Sequence, residues 1–221
     1  MYRIVFLRNS VWALLLLVAC TNNKVQEQST HLPYYNEPNF TPIFISNTQS
    51  VNDSITHQIG NFSFTNQHGK TITQEKINNK IHVANFIFTT CGSICPTMTK
   101  HMKLVQDAFE KDTNIVQLSY SVTPWIDNVA KLKTYATNNA IKSANWHLLT
   151  GNKAAIYTLA RTSYFAEEDL GFTKDSTEFL HTEHILLIDK TKRIRGIYNG
   201  TLQLEIEQLI KDIHTLIKQE N

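Results

Sequence analysis

Two periodicities of apolar and polar positions succeed one another along this chain, and the points where one gives way to the other mark out its elements. The run HVANFIFTT (82–90) is β-rich and nearly continuously apolar, which predicts a central strand covered on both faces. Met98, Met102, Val105 and Phe109 then recur at helical spacing. They predict a helix over 96–111 with Pro96 at its first position, where the ring loses no hydrogen bond. NIVQLSYSV (114–122) predicts a second strand, and Val129, Leu132 and Ala136 give an inward face to a helix over 126–138. WHLLTGN (146–152) reads as a short strand, and Ile156, Leu159, Ala160 and Ser163 continue a helix over 153–164. HILLID (184–189) and IRGIYNG (194–200) are strands about the turn DKTK, and Ile206, Leu209, Ile210, Ile213 and Ile217 form the apolar face of a last helix.

Ahead of this pattern stand FSF (62–64) and a turn at QHGK (67–70), and before the last strand pair the segment Phe165 to Leu180 is polar and aperiodic, a surface excursion. The order βαβα then ββα predicts an α/β chain of thioredoxin-like fold. Its central mixed β-sheet is flanked by helices and preceded by an N-terminal extension.

The extension has its own logic. MYRIVFLRNSVWALLLLVAC carries Arg3 and Arg8, an apolar run from Val11 to Val18 and then Cys20, which predicts an export signal too short to span a membrane. Leu17-Val18-Ala19-Cys20 resembles the lipobox of bacterial lipoproteins, which implies cleavage before Cys20 and acylation of its thiol. The chain divides accordingly into a signal over 1–19, a flexible tether and semi-extended lead-in over 20–50, where Pro33, Pro38 and Pro42 cluster, and a domain over 51–221. This puts the domain outside the cytoplasm, on the periplasmic side, anchored to the membrane through lipid. Of 21 basic and 19 acidic residues, Arg3 and Arg8 leave with the signal, so the remainder balances at 19 against 19 and offers no basic surface to nucleic acid.

The chemistry concentrates in FTTCGSICPTMTKHM, where Cys91 and Cys95 lie four positions apart at the first strand-to-helix junction. Cysteines at i and i+4 at a helix N-terminus meet free backbone N–H groups and the positive end of the macrodipole, both of which favour thiolate. The pair suits a structural disulfide, a redox couple or two ligands of a copper or zinc ion. A bridge closing so short a loop restrains the unfolded chain little, and two soft thiolates leave a metal site one ligand short. Among the nine histidines, His31, His57, His68 and His214 read as solvated, His82 starts the strand that ends at Cys91 and so lies at its far end, and His147 reads as core. His101 falls nearly two turns below Cys95. His181 and His184 precede or begin a strand able to return beside the dithiol, and their odd separation lets one at most face it.

FIFTTCGSICP, SVTP (121–124), WHLLTG (146–151) and HTEHILLID (181–189), with LPYYN (32–36) and the stretch from Ile59 through GKTIT, together resemble the Sco/SenC family of copper-binding, thioredoxin-like assembly factors for cytochrome c oxidase, over about 32–219. The resemblance maps the family's Cys-x3-Cys-Pro onto Cys91, Cys95 and Pro96, and its metal-binding histidine onto His181 rather than His184. It implies a metallochaperone that holds one copper ion, Cu(I) or Cu(II), through Cys91, Cys95 and His181. The ion would pass to the dinuclear copper site of cytochrome c oxidase, whose copper-site subunit is the implied partner. The same two cysteines could instead form a redox-active disulfide in a membrane-anchored thiol-disulfide oxidoreductase, with Cys91 attacking and Cys95 resolving. Against that reading, thioredoxin-type enzymes carry a proline just before the strand facing the dithiol, and this chain has none after Pro124. Thr123 stands where the family often has an aspartate, and Leu180 where an aspartate precedes the histidine, so a carboxylate partner for the imidazole is expected from Asp175 or Glu178.

Overall fold

Three parallel strands carry the centre of the sheet in the computed structural model, which describes residues 31–45, 48–166 and 182–219. They are β5 (Ile81–Ile87), β6 (Ile115–Ser121) and β7 (Trp146–Thr150). Every residue of all three is buried, which is why the sequence shows unbroken apolar runs there rather than alternation. β5 and β6 pair from Ile81↔Ile115 to Ile87↔Ser121, joined by the crossover helix α2 (Ile94–Ala108), and α3 (Val129–Asn138) makes the next crossover.

The remaining strands extend this centre on both sides. β8 (His184–Ile188) runs antiparallel to β5, with His82↔Ile188 and Ala84↔Leu186 opposite each other, and β9 (Ile194–Asn199) follows antiparallel to β8. On the far side, β3 (Ser63–Asn66) pairs with β7 and forms a hairpin with β4 (Thr71–Thr73). The lead-in joins the sheet as well: β1 (Tyr34–Tyr35) pairs with β9 and with β2 (Pro42–Ile43), giving the order β2-β1-β9-β8-β5-β6-β7-β3-β4. A short helix α1 (Thr48–Ser54) lies between lead-in and sheet in the chain.

Each sheet face has its own core. Val83, Ile87, Ile185 and Leu187 pack with Met98, Met102 and Val105 of α2, Leu132 of α3, and Ile206, Leu209 and Ile213 of α5 (Gln203–Gln219). Ala84, Phe86, Leu118, Tyr120, Leu186 and Ile188 face the other way, onto Ile156, Tyr157 and Ala160 of α4 (Lys153–Ser163). This is the mixed sheet flanked by helices that the order of elements predicts.

Two helices begin away from their expected starts. α2 begins at Ile94, so Pro96 is its third residue rather than its first. The ring is tolerated there because no N–H of the first turn has an intrahelical partner to lose. α3 begins at Val129, three residues late, because the Asn128 side chain caps it by accepting from the Lys131 N–H at 3.0 Å. The start of the expected surface excursion is core instead: Phe165 is 8% exposed and Ala166 fully buried in the α4-side cluster.

Candidate functional site

β5 ends at Ile87 and delivers the chain to the dithiol, with a turn closed by the Cys91 N–H donating to the Phe88 carbonyl at 3.2 Å. Ser93, the residue before α2, makes no side-chain capping bond. Its role falls to Cys91, whose sulfur accepts from the N–H groups of Cys95, Ser93 and Ile94 and from the Cys95 thiol. The two cysteines therefore do not lie on one helical face, where i, i+4 spacing within a helix would put them. Cys91 precedes the helix and caps it, and Cys95 sits in its first turn. Both are free thiols, with Cys91 half-buried and Cys95 only 4% exposed.

The same surroundings split the two acidities. Burial raises the Cys91 thiol, but the amides of Cys95, Ser93 and Ile94 and the Cys95 thiol outweigh it and leave Cys91 below the ordinary cysteine range. Burial pushes Cys95 up to about 12; the Phe88 amide works against this, while the charges of Cys91 and Asp127 add to it. Cys91 is the more accessible and the more acidic of the two thiols, and Cys95 keeps its proton until something displaces it. A soft cation does that, since binding to a thiol releases the proton.

Asp127 was not singled out by its sequence context, yet its fully buried carboxylate organises this end of the sheet. Oδ1 accepts from the Thr89 hydroxyl at 2.5 Å, and Oδ2 from the Thr89 N–H at 3.2 Å, the Ser121 hydroxyl at 2.7 Å and the Thr123 hydroxyl at 3.0 Å. It thereby fastens the turn after β6 to the strand end that leads into Cys91. Thr123, which replaces an expected carboxylate, is one of its donors. The available signal was the run Ser121-x-Thr123-x3-Asp127, hydroxyls and an acid clustered at a strand end. Tyr135 completes the surround: its hydroxyl bonds the Thr99 hydroxyl at 2.7 Å, and its phenol is held protonated first by burial and then by the charges of Cys95, Cys91 and Asp127.

Replacing Asp127 by Ala leaves four donors without their acceptor. Removing one member of such a buried charged network costs about 3–5 kcal/mol, which is roughly 10 °C in Tm for a domain of this size. A thermal melt followed by circular dichroism checks this; a Tm within about 2 °C of wild type would show that the network contributes little.

The histidines sort by face and depth. His184 opens β8 on the same side as Leu186 and Ile188, away from α2, and its ring meets Phe40 edge-on at 5.7 Å. Ile185 and Leu187 point to the α2 side. His181 lies outside the described residues, as do Cys20, Asp175, Glu178 and Leu180. Among the described residues no three His, Cys, Asp or Glu side chains gather as a ligand set. His82 is fully buried, bonds the Tyr164 hydroxyl at 3.2 Å and is pushed down to about 3 by burial. His147 is core as expected, pushed down to about 4 by burial and 3.2 Å from Asn66 Nδ2. His101 is buried against the Gly200 carbonyl at 2.7 Å. His57 is not solvated: it stacks on Phe165 at 4.2 Å and bonds the Ser163 carbonyl at 2.8 Å.

A mixed sheet with a Cys-x3-Cys pair at the junction of its central strand and first crossover helix defines a thioredoxin-like dithiol protein. Within that class the chain belongs to the SCO1/SenC family, whose model matches residues 51–218. Among solved structures, a SCO1/SenC family lipoprotein from Bacillus anthracis is 29% identical, with a TM-score of 0.62 over 73% of this chain and 95% of the other. BsSco, a member of the Sco family of cytochrome c oxidase assembly proteins in which a disulfide switch was identified, is 26% identical, with a TM-score of 0.60 over 72% and 93%. ScoI of Bradyrhizobium japonicum, solved with copper bound, is 28% identical, with a TM-score of 0.56 over 71% and 98%.

Proposed function

We propose that this chain is a copper metallochaperone that holds one copper ion through Cys91, Cys95 and His181 and passes it to the dinuclear copper site of cytochrome c oxidase. The observation that carries the reading is the contact between the two free sulfurs at the N-terminal end of α2, a pair of soft donors held together without a bridge. Copper is cargo here. Two thiolates hold Cu(I) in a low-coordinate site, and ligand exchange begins where an incoming donor can reach the ion, beside half-buried Cys91. Support for the imidazole comes from the direction of β8, whose first residue enters the sheet opposite the end of β5, and from parity: odd-numbered positions of β8 face α2. The copper-bound relative and the relative in oxidase assembly support the cargo and the acceptor.

The test loads the reduced chain with Cu(I) and mixes it, without oxygen, with the copper-free soluble domain of the oxidase subunit. Copper is expected to appear in the acceptor. A second reading draws on the unequal burial of the two cysteines. In it the Cys91 thiolate attacks an acceptor disulfide, and Cys95 then loses its proton and displaces the mixed disulfide, leaving Cys91–Cys95 oxidised and the acceptor reduced by two electrons. Copper retained by the chain while acceptor thiols appear would decide for that reading.

The same proposal includes the signal over 1–19, acylation of Cys20, the lead-in over 20–50 and the domain over 51–221, which together hold the site outside the cytoplasm on a lipid anchor. The lipoprotein relative supports it, and among the described residues no helix is long and apolar enough to cross a membrane. Radioactive fatty acid is expected to label the wild-type chain and not Cys20→Ser; an unlabelled wild type would remove the anchor.

A further inference from the structure

At the end of the sheet opposite the dithiol, where β8 finishes, two arginines are buried: Arg193 is 6% and Arg195 4% exposed. One carboxylate stands beside them, and it pairs with the Arg195 side chain alone. Asp189 Oδ2 accepts from Arg195 Nη1 at 3.2 Å, and its Oδ1 is occupied by the Thr191 N–H at 2.9 Å, the Thr191 hydroxyl at 2.7 Å and the Arg193 backbone N–H at 3.0 Å. Arg195 is then complete: Nε and Nη2 donate to the carbonyls of Pro33 and Leu32, and its guanidinium lies 3.8 Å from the centre of the Tyr34 ring.

Arg193 is different. Nε donates to the Ile55 carbonyl and Nη2 to Asn52 Oδ1, each at 3.1 Å, and both acceptors are neutral. Among the described residues no carboxylate pairs with its side chain, and Nη1 has no protein acceptor. Nη1 is nevertheless not sealed in protein, and the residue lines a cavity of about 290 Å³ whose wall also includes His31, Tyr34, Asn52, Arg195 and the Asp189 carboxylate that pairs with it. A buried guanidinium without a counter-ion is costly unless an anion completes it. Its planar fork matches the oxygens of a phosphate group, and a protein face with two guanidiniums and one carboxylate keeps a net positive field in the cavity.

We propose that this cavity binds a phosphate group, with Arg193 Nη1 as its principal donor. His31, the first of the described residues, lines the wall and follows Cys20 by eleven positions. Over the eleven residues from Cys20 the chain spans at most about 40 Å. If Cys20 is acylated as proposed above, the phosphodiester of an anionic phospholipid is therefore within reach. Occupied that way, the cavity fixes this end of the domain toward the membrane and turns the dithiol end toward solvent.

The test titrates the full chain, purified in neutral detergent at constant ionic strength, with inorganic phosphate and separately with dioctanoylphosphatidylglycerol, read by calorimetry. Cys20→Ser is titrated in parallel, so that failure of the lipid anchor and failure of the cavity are separate results. Wild type and Cys20→Ser are both expected to bind. Tighter binding of the lipid analogue assigns the site to a headgroup, and tighter binding of inorganic phosphate to a soluble ligand. Arg193→Gln is expected to weaken binding by about tenfold or more, the usual loss of a charge-assisted hydrogen bond. Arg193→Lys, which keeps the charge and the fold but not the fork, is expected to fall between. Copper uptake should be unchanged in both variants. Absence of binding of either probe to wild type, or binding to Arg193→Lys and Arg193→Gln as tight as to wild type, overturns the proposal.

Discussion

The reduced chain is expected to take up one copper ion, and the oxidised chain almost none. A disulfide between Cys91 and Cys95 removes both soft donors at once, and among the described residues no other cysteine, and no cluster of three ligands, stands in their place. Each cysteine is also needed singly. Cys91→Ser loses the accessible sulfur that caps α2, and Cys95→Ser loses the donor whose proton the metal displaces, so both variants should lose Cu(I) and Cu(II) together. Metal analysis after desalting, on dithiothreitol-reduced and on oxidised protein, reads this directly. Equal copper in the two redox forms would exclude a dithiolate site. The pH dependence follows from the acidities. Burial raises Cys95 to about 12, so at neutral pH its thiol must give up a proton to bind, and copper uptake releases protons and strengthens as pH rises.

Replacing His181 by Ala is expected to separate the two oxidation states. Cu(I) is soft and satisfied by two thiolates, whereas Cu(II) prefers imidazole and oxygen donors in a tetragonal shell. His181→Ala should therefore weaken Cu(II) by more than the ~10–100-fold that loss of an outer-shell partner costs, and abolish its thiolate charge-transfer absorption. Cu(I) affinity should change far less. His184→Ala should alter neither state, because that ring lies against Phe40 on the sheet face away from α2. If His184→Ala gave the selective Cu(II) loss, β8 would have to enter the site turned over, against the packing of Leu186 and Ile188. If neither variant changed either state, the imidazole ligand would be misassigned and the oxidoreductase reading would gain.

The elements were legible because each is announced within its own few residues. Unbroken apolar runs marked β5, β6 and β7, and the helical recurrence of Met98, Met102 and Val105 marked the face of α2 that packs on the sheet. Alternation was legible within β8 itself, where Ile185 and Leu187 pack on one sheet face and Leu186 and Ile188 on the other, while His181 precedes the strand and lies outside the described residues. The lead-in strands were not legible. Two-residue strands carry no periodicity, and β1 is a strand only because β2 and β9 offer it partners.

The amino-acid sequence alone thus determined the order of elements, the position of the dithiol at the end of the central strand, and the family to which the chain belongs. Tertiary structure decided which cysteine is the more acidic, because that difference comes from burial and from amides aimed at one sulfur, neither of which spacing encodes. It likewise gave Asp127 its role, through donors from Thr89 that lie 38 positions away. Arg193 acquired its lone charge in the same manner, from an Ile55 carbonyl 138 positions distant and an Asp189 already spent on Arg195. The physical reason is common to all three. Periodicity reports how a segment meets a surface, whereas acidity, satisfaction of charge and hydrogen bonding depend on which distant groups the fold brings to that surface.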